Sequence, residues 1–194
     1  MRRPAEYTSR SADSHLGAAV ADGGLAYCSM RIGFGYDSHR FAAAGEESFG
    51  RKQKLGGVVI EECPALKGHS DADVLLHAVA DALLGAAALG DIGSHFPDSD
   101  MRWKGADSAK MLSVVVDEVA GAGYCVGNVD VTVICERPKL LPHAGAVRSR
   151  LAELLHVPAG CVSVKGKTNE GMDAVGEGLG IAVHAVALIE SSGK

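Results

Sequence analysis

The sequence predicts a single α+β domain in which helices pack on one face of a mixed β-sheet. Two kinds of pattern predict this class. Apolar and polar residues alternate in several short stretches, as at Val129, Val131 and Val133, which is typical of half-buried strands. Residues 71–89 instead place their apolar side chains on one face of a helix. In order along the chain the segments are β-β-α-α-β-α-β-β, and no internal repeat is visible.

The composition is that of a globular domain. The chain has 194 residues, of which 47% are hydrophobic and 22% charged, which excludes a disordered chain. Aromatic residues make up only 5%, so the core must be built from Ala, Val, Leu and Ile. The formal net charge is -5 and no Lys/Arg stripe occurs, so we expect no nucleic-acid partner. The longest apolar stretches, such as 83–90, are too short to span a bilayer, so we expect no membrane partner.

Five cysteines occur, an odd number without a CxxC pair. Scattered cysteines of this kind are typical of reduced thiols in a cytosolic protein, so we expect a cytoplasmic location. The five are Cys28, Cys63, Cys125, Cys135 and Cys161.

Residues 1–29 differ from the rest of the chain, because they are rich in Ala, Ser, Gly and Arg and have no sustained period. Three interpretations compete: residues upstream of a natural start at Met30, a flexible native tail, or a transit peptide for plastid import. Three arginines favour the transit peptide, and three acidic residues weaken it. We expect a disordered N-terminal extension over 1–29 without a catalytic role, and a folded domain over 30–194.

The elements are predicted from these patterns in order. Residues 30–37 form a strand, residues 42–53 a polar loop that contains glycine, and residues 55–60 a short strand that contains Gly56 and Gly57. The remaining elements are a helix over 107–122, a strand within 124–137, a helix over 143–155, and strands over 162–167 and 181–190.

The strongest helix is predicted over 71–89. Ser70 or Asp71 can cap its start, and the glycines at 90 and 93 end it. Its apolar face consists of Val74, Leu75, Ala78, Val79, Ala82, Leu83 and Ala86.

A candidate metal site joins the first strand to this helix. Asp37 and His39 are two residues apart, so a strand places both side chains on one face, and His77 projects from the helix. Alone, His77 is most simply a hydrogen-bonded histidine at a helix–sheet contact. Beside Asp37 and His39 it completes a carboxylate and two imidazoles, a typical zinc site with an open position. Asp73 and Asp81, four residues on either side of His77, are either acceptors that fix its ring or ordinary surface charges.

Two segments near the helix offer groups for a phosphorylated ligand. His69 and Ser70 lie at the predicted helix start, where free N–H groups bind anions, although Ser70 can equally act as a simple cap. Asp91 or Asp98, in the polar loops that follow the helix, can accept hydrogen bonds from sugar or polyol hydroxyls, but both loops also fit ordinary turns.

Two later loops each follow a strand. Residues 137–142 form either a rigid edge loop or a wall for a base or phosphate, with Lys139 as the charge. In residues 165–170, Thr168 offers a donor to phosphate and Glu170 an oxygen ligand to Mg²⁺, although a plain turn fits as well.

Taken together, these segments resemble the family of 2-C-methyl-D-erythritol 2,4-cyclodiphosphate synthases, enzymes of the non-mevalonate isoprenoid pathway. The resemblance runs from Met30 to about Glu190 and is carried by several long blocks in order. The blocks are RIGFGYDSH at 31–39, GHSDADVLLH at 68–77, DALLGAAALGDIG at 81–93, FPDSD at 96–100 and GNVDVT at 127–132.

The resemblance implies a homotrimer around a central channel, with active sites at its subunit interfaces. It implies one Zn²⁺ per subunit on Asp37, His39 and His77, and Mg²⁺ or Mn²⁺ held with the substrate by Glu170. The implied substrate is 4-diphosphocytidyl-2-C-methyl-D-erythritol 2-phosphate. Its 2-phosphate attacks the β-phosphorus in an intramolecular phosphoryl transfer, which gives the cyclic diphosphate and CMP. The implied enzyme class is a phosphorus–oxygen lyase.

The same resemblance assigns the site residues. It makes His69 and Thr168 the catalytic groups that stabilise the transition state, and it places His69 and Ser70 at the attacking phosphate. Residues 91–93 contact the ribose, 96–100 the methylerythritol, 135–141 the cytidine and 167–170 the α-phosphate. The full substrate-binding set is Asp37, Ser38, His39, His69, Ser70, Asp91, Ile92, Gly93, Phe96, Pro97, Asp98, Ser99, Asp100, Cys135, Glu136, Arg137, Pro138, Lys139, Leu140, Leu141, Lys167, Thr168, Asn169 and Glu170.

One stretch departs from the family's pattern. Many members carry an aromatic residue near Ala174 and an arginine near Glu177, and this chain has neither. In the family this stretch lines the central channel, so the resemblance does not extend a site for isoprenoid diphosphate to this chain.

Two other hypotheses compete with the synthase. A zinc-dependent phosphohydrolase acting on a nucleotide diphosphate would use metal-bound water as nucleophile and release an open-chain phosphate ester. A non-catalytic trimer would only bind nucleotide, which requires no zinc ligands.

Overall fold

The computed structural model describes residues 29–192. Its strands are β1 (Met30–Arg40), β2 (Lys52–Leu55), β3 (Val58–Pro64), β4 (Tyr124–Ile134), β5 (Val162–Lys167) and β6 (Gly180–Ser191). Its helices are α1 (Val74–Ala87), α2 (Ile92–His95), α3 (Ser108–Gly121), α4 (Ala144–Leu154) and α5 (Asp173–Gly176), with 3₁₀ turns at Met101–Trp103 and Ala159–Cys161. The predicted N-terminal extension, apart from Ser29, lies outside the described residues.

A four-stranded mixed sheet organises the domain, with strand order β1-β6-β4-β5. The β4–β5 pair is parallel, whereas β6 runs antiparallel to both of its neighbours. Strands β2 and β3 form a separate two-stranded sheet. The predicted α+β class with a mixed sheet is therefore confirmed. Because β1, β4 and β5 run in the same direction, their carboxyl ends lie at the same end of the sheet.

The two faces of the sheet have different surroundings. Inward side chains such as Val131 and Val183 are fully buried under α1, α3 and α4, which contact the sheet and one another. On the opposite face the apolar side chains of β1 are exposed, and Ile32 retains 71% and Phe34 61% of its accessible surface. The helices therefore cover one face, as predicted, and no element within residues 29–192 covers the other face.

Glycines allow α1 to approach β1 closely. Gly33 and Gly35 are buried on the helix side of β1, in the same inward register as Asp37 and His39. A Cβ atom at Gly33 would lie 1.9 Å from the carbonyl oxygen of Ala82, and one at Gly35 equally close to that of Ala78. Helix backbone thus contacts strand backbone directly, which brings the side chains of α1 to the end of β1.

The predicted strand over 55–60 is wrong. The chain instead turns at Gly56 and Gly57, which have φ of 62° and 75°, and forms the β2–β3 hairpin on either side. Adjacent residues with positive φ are typical of a tight hairpin turn, so the two glycines separate two strands instead of lying within one. The predicted loop over 42–53 accordingly ends where β2 begins, at Lys52.

The predicted ends of the strongest helix are also corrected. Helix α1 starts three residues later, and its cap is Asp73, not Ser70 or Asp71. The fully buried Asp73 carboxylate accepts the N–H of Leu76 at 3.2 Å and also those of Gly56 and Gly57 at 2.8 and 2.6 Å. One carboxylate therefore caps the helix and fixes the hairpin turn against it. At the other end, Ala88 in the left-handed conformation ends the helix before the glycines.

Candidate metal centre and adjacent pockets

A cluster of potential metal ligands lies where α1 passes the end of β1. Asp37, His39 and His77 each present one ligand atom, and these atoms lie within 4.8 Å of one another. His77 Nδ1 and His39 Nε2 are 3.0 and 3.1 Å from the same oxygen, Asp37 Oδ2. The structure therefore brings together the three side chains that the sequence nominated, and we call them the triad.

The geometry of the triad fits a zinc ion. Two ligands of a tetrahedral zinc ion, each about 2.0–2.2 Å from the metal, lie about 3.3–3.5 Å apart, which is close to the observed separations. One carboxylate oxygen and two imidazole nitrogens form the donor set of open zinc sites. The triad also lines a cavity, so a ligand could take the open position.

The triad residues perturb one another electrostatically. Burial opposes ionisation of Asp37, but hydrogen bonds from His39 and His77 outweigh it and hold the pKa of the carboxyl well below its usual range. Burial likewise opposes protonation of His39, but the hydrogen bond to Asp37 outweighs it and raises the pKa of the imidazole. In the metal-free protein a proton on His39 therefore competes with a metal ion.

As the pH rises from about 6, the stability of the metal-free protein should fall, whereas the stabilising effect of zinc should grow. The lowered pKa of Asp37 contributes stability that is lost as the pH falls below the ordinary value of 3.8. The raised pKa of His39 contributes stability that is complete below the ordinary value of 6.5 and is lost as the pH rises through the raised value. Zinc requires an unprotonated His39, so its stabilising effect should grow over the same rise in pH.

Thermal unfolding with added zinc and with a chelator, from about pH 6 to 8.5, measures this difference. The gap between the two melting temperatures should widen with pH. A gap that stays constant over this range would contradict the competition between the proton and the metal at His39.

The side chains that hold the ring of His77 are not those predicted. Its Nε2 lies 2.9 Å from Ser108 Oγ and 3.2 Å from Ser70 Oγ. Asp73 is committed to backbone amides, and Asp81 accepts the N–H of Ile92 at 2.8 Å. The proposal that these two aspartates fix the ring is therefore wrong, because both carboxylates serve the backbone.

The cavity that contains the triad has a volume of about 410 Å³. It collects most of the nominated residues from the start of α1 and from the following loops. Its lining is Asp37, His39, Gly68, His69, Ser70, His77, Asp81, Ile92, Gly93, Phe96, Pro97, Asp98, Trp103 and Met111. The sequence reasoning missed Trp103, whose indole packs edge-on against Phe96 at a centroid distance of 4.8 Å. The sequence signal that could have identified Trp103 is its large aromatic side chain within a polar loop.

Three nominated residues of these loops are absent from that lining. Asp91 caps α2, since its Oδ1 accepts both the N–H and the hydroxyl of Ser94. Asp100 caps the following 3₁₀ turn and pairs with Arg102. Ser99 lies between this turn and the cavity residues. These side chains shape the loop that forms the cavity wall.

A second cavity, of about 510 Å³, lies beside the carboxyl ends of β4 and β5. Its lining is Cys135, Pro138, Lys139, Leu140, Leu141, Ala144, Val164, Lys165, Gly166, Lys167 and Thr168. The Arg137–Pro138 peptide bond is cis.

Four nominated residues lie next to this cavity without lining it. Glu136 Oε1 accepts the N–H of Asn169 at 3.1 Å, and Arg137 stacks over Phe41 at 5.2 Å. Glu170 Oε1 accepts the hydroxyl of Thr168 at 2.6 Å.

The two cavities are separate in the part of the chain that the structure describes, because no residue there lines both. The triad is on β1, and the second cavity is against β5, at opposite edges of the sheet. Three strand spacings separate these edges, about 14 Å. The nominated residues therefore form two separate groups, which lie at the same end of the sheet but at its opposite edges.

The cysteines Cys63, Cys125, Cys135 and Cys161 are free thiols. Burial raises the pKa of Cys63 and of Cys135 to about 11, which keeps both protonated at neutral pH. Cys28 lies outside the described residues. No helix among residues 29–192 is long and apolar enough to cross a membrane.

Comparisons with known proteins agree along nearly the whole folded chain. A model described as the YgbB family matches residues 30–190. The 2-C-methyl-D-erythritol 2,4-cyclodiphosphate synthase of Salinibacter ruber is 55% identical over 163 residues, which are 84% of this chain and all of that protein. The enzyme of the same name from Alcanivorax borkumensis is 52% identical over 163 residues, 84% of this chain and 98% of that protein.

Solved structures are similar as well. A CDP complex of IspF from Plasmodium falciparum is 32% identical, with a TM-score of 0.73, and the match covers 86% of this chain and 99% of that one. The bifunctional IspDF of Campylobacter jejuni is 36% identical, with a TM-score of 0.78; the match covers 84% of this chain but 42% of that longer one.

Proposed function

The chain belongs to the YgbB family, and from its likeness to the synthases of Salinibacter ruber and Alcanivorax borkumensis we infer that it catalyses the reaction for which they are named. It converts 4-diphosphocytidyl-2-C-methyl-D-erythritol 2-phosphate to 2-C-methyl-D-erythritol 2,4-cyclodiphosphate and CMP in isoprenoid biosynthesis. The observation that carries this conclusion is the triad, with its three ligand atoms converging in a cavity large enough for a phosphorylated polyol.

The reaction is an internal displacement at phosphorus. An oxygen of the 2-phosphate forms a bond to the β-phosphorus, the bond from that phosphorus to the oxygen of the α-phosphate breaks, and CMP leaves with that oxygen. Since nucleophile and electrophile belong to one molecule, the protein mainly has to hold the substrate folded on itself and balance its charge. This is the chemistry of a phosphorus–oxygen lyase.

The triad would hold Zn²⁺, and Glu170 would be the protein ligand of Mg²⁺ or Mn²⁺ that enters with the substrate. When bound, these ions neutralise and polarise the diphosphate. Thr168, hydrogen-bonded to Glu170 at 2.6 Å, is placed to donate to a phosphate oxygen once Glu170 turns to a cation.

Other residues of the triad cavity would bind the attacking phosphate and the methylerythritol. Ser70 Oγ accepts the N–H of Ala72 at 3.2 Å, which leaves its own hydrogen for an oxygen of the attacking phosphate. His69 lines the same cavity and is the second donor to that phosphate. Phe96 and Trp103 form an apolar wall against which the methylerythritol carbon chain can pack.

The second cavity suits the cytidine part of the substrate. Its wall combines apolar side chains with backbone from residues 138–141, and Lys139 supplies a positive charge beside it. Backbone N–H and C=O groups can read a base edge, and the cation can hold a phosphate. The P. falciparum relative was solved in complex with CDP, which supports a cytidine nucleotide as the ligand.

A homotrimer explains why one chain holds the two cavities apart. If neighbouring copies meet so that the triad cavity of one faces the nucleotide cavity of the next, each interface completes one active site. The open sheet face supports such an assembly, since exposed apolar side chains on β1 would then be covered. We further propose a cytoplasmic location, with residues 30–194 as the catalytic domain and 1–29 as an extension without a catalytic role.

The reaction itself is tested by phosphorus NMR on purified protein with the cytidyl substrate, Zn²⁺ and Mg²⁺. The expected products are CMP and a coupled pair of cyclic-diphosphate signals. CMP with an open-chain phosphate would instead support the zinc phosphohydrolase. Bound zinc without any turnover would overturn the proposed substrate.

Shared active sites predict complementation between two inactive variants. His77→Ala removes the triad from one copy, and Glu170→Gln removes the second metal ligand from another. Random mixed trimers pair an intact triad with an intact nucleotide loop at about one quarter of their interfaces, so co-expression should restore about that fraction of wild-type activity. Activity no higher than that of either variant alone, in trimers shown to contain both chains, would place each site within one subunit.

A further inference from the structure

Among the described residues, the hydrogen-bond partners of the second ring nitrogen of His77 are both hydroxyl groups. Nδ1 faces Asp37, whereas Nε2 lies 2.9 Å from Ser108 Oγ and 3.2 Å from Ser70 Oγ. A histidine that ligates a metal through one nitrogen usually donates the other N–H to a carboxylate or a carbonyl, which can only accept. A serine hydroxyl can donate or accept, so on its own it does not determine which nitrogen of His77 carries the hydrogen.

Asp71 removes this ambiguity at Ser108. The Ser108 hydroxyl donates to Asp71 Oδ1 at 2.5 Å, and an ionised carboxylate has no hydrogen to return. The hydrogen of Ser108 is therefore committed to Asp71, and only oxygen lone pairs face His77. In the neutral ring Nε2 then carries the hydrogen, which leaves the Nδ1 lone pair directed into the triad; a ring with hydrogen on both nitrogens also donates from Nδ1 to Asp37.

Lys54 fixes the direction in which the hydrogen bonds run from His77 through Ser108 to Asp71, because it can only donate to Asp71. Its ammonium lies 2.9 Å from Asp71 Oδ2, whereas Oδ1 accepts the Ser108 hydroxyl and, at 3.3 and 3.4 Å, the N–H groups of Ser108 and Asp73. Burial opposes ionisation of Asp71, but the hydrogen bonds from Ser108 and Lys54 outweigh it and lower the pKa of the carboxyl. Ser108 itself is 1% exposed, so water cannot readily replace the arrangement.

We propose that Asp71 is a positioning residue which, acting through Ser108, selects the tautomer of His77 with hydrogen on Nε2 and a free lone pair on Nδ1. The selection is needed because Asp37 Oδ2, 3.0 Å from Nδ1, attracts a hydrogen to that nitrogen in the metal-free protein. The Lys54–Asp71–Ser108 chain opposes this attraction and so prepares Nδ1 for a metal ion. The inference deepens the proposed zinc site and rests on it, but not on the identity of the substrate.

The variant Asp71→Asn gives the sharpest test, because it should reverse the direction of the hydrogen bonds between residue 71, Ser108 and His77. Lys54 can only donate, so the amide oxygen of Asn would turn to Lys54 at 2.9 Å. Its NH₂ group would then face Ser108, at the expense of the longer bonds that Oδ1 accepts from the N–H groups of Ser108 and Asp73 at 3.3 and 3.4 Å. Ser108 would then donate its hydrogen to Nε2 of His77, and the ring hydrogen would move to Nδ1. Adding Lys54→Met frees the amide to turn its oxygen back towards Ser108, which should restore the original tautomer.

Two readouts that need no substrate follow this reversal. Nitrogen NMR of ¹⁵N-histidine protein without metal, at a pH where the ring is neutral, reports which nitrogen of His77 carries the hydrogen. Competition with a chromophoric chelator gives the zinc dissociation constant. Asp71→Asn and Ser108→Ala should each move hydrogen towards Nδ1 and weaken zinc binding by about 10–100-fold. The double variant Lys54→Met/Asp71→Asn should recover most of that loss.

The matched control is Ser113→Ala on the same helix as Ser108. The Ser113 hydroxyl donates to the carbonyl of Ala109 at 3.0 Å and does not line the triad cavity, so zinc affinity should stay at the wild-type value. If Asp71→Asn weakens zinc binding without changing the tautomer, or if Lys54→Met does not restore it, Asp71 only supports the fold. Wild-type protein that binds no zinc would instead remove the metal site itself.

Discussion

Replacing His77 with alanine is expected to abolish zinc binding and to lower turnover by on the order of 10³-fold or more, since metal polarisation of a phosphoryl group is worth several kcal/mol. The variant removes one of only two nitrogen ligands, and Asp37 with His39 alone leaves two open positions. The helix should persist, because α1 is fixed by its buried apolar residues and by Asp73. Zinc content by elemental analysis and turnover by phosphorus NMR measure the two effects.

The control for this variant is His156→Asn. His156 is exposed after α4, outside both cavities, and has φ of 56°, a left-handed conformation that asparagine tolerates. It should keep one zinc per subunit and full turnover. Equal zinc content and activity in His77→Ala and in wild type would remove His77 from the metal site.

Replacing Gly35 with alanine is expected to destabilise the fold by about 3 kcal/mol or more, at the upper end of the range for overpacked cores. The new Cβ atom would lie 1.9 Å from the carbonyl oxygen of Ala78 and 2.7 Å from the amide nitrogen of Ala82. Both are helix backbone atoms, which cannot rotate away as a side chain can. Helix α1 must therefore shift outwards by more than 1 Å, and it carries His77 with it.

Two measurements on Gly35→Ala separate this effect from a local one. Urea unfolding should show a lower midpoint, and zinc affinity should fall because His77 moves away from Asp37. Gly145→Ala in α4 is the control, since a Cβ atom added there would have no neighbour within 4 Å. That change should be neutral or stabilising by up to about 1 kcal/mol, as for most helical glycines. A wild-type midpoint for Gly35→Ala would contradict the close approach of α1 to β1.

The features that could be predicted from the sequence depend on short-range periodicity. Alternation placed Asp37 and His39 on one face of β1, and the predicted helix carried His77 as a third candidate ligand. Once α1 covers that face, the three side chains must come close together. The period of the strand thus determines the face of Asp37 and His39, and the combination of one carboxylate with two imidazoles sufficed to nominate the triad.

The features that could not be predicted depend on partners distant in sequence. Asp73 was considered a candidate to fix His77, but it caps α1 and binds Gly56 and Gly57, which lie 17 and 16 residues earlier. Ser108, which contacts His77 from 31 residues away, has no local pattern that distinguishes it from any serine at a helix start. Contacts of this kind are determined by the packing of whole elements, which a periodicity cannot express.

The strict alternation of β1 has a consequence for how this chain can change in evolution. Gly33, Gly35 and the two ligands occupy one parity of the strand, and the exposed Ile32, Phe34 and Tyr36 occupy the other. A single inserted or deleted residue between Met30 and Asp37 would exchange the parities, setting bulky side chains against α1 and turning the glycines outwards. Single substitutions leave the alternation intact, but the length of this segment cannot vary, so alignments of functional descendants should contain no gap within it.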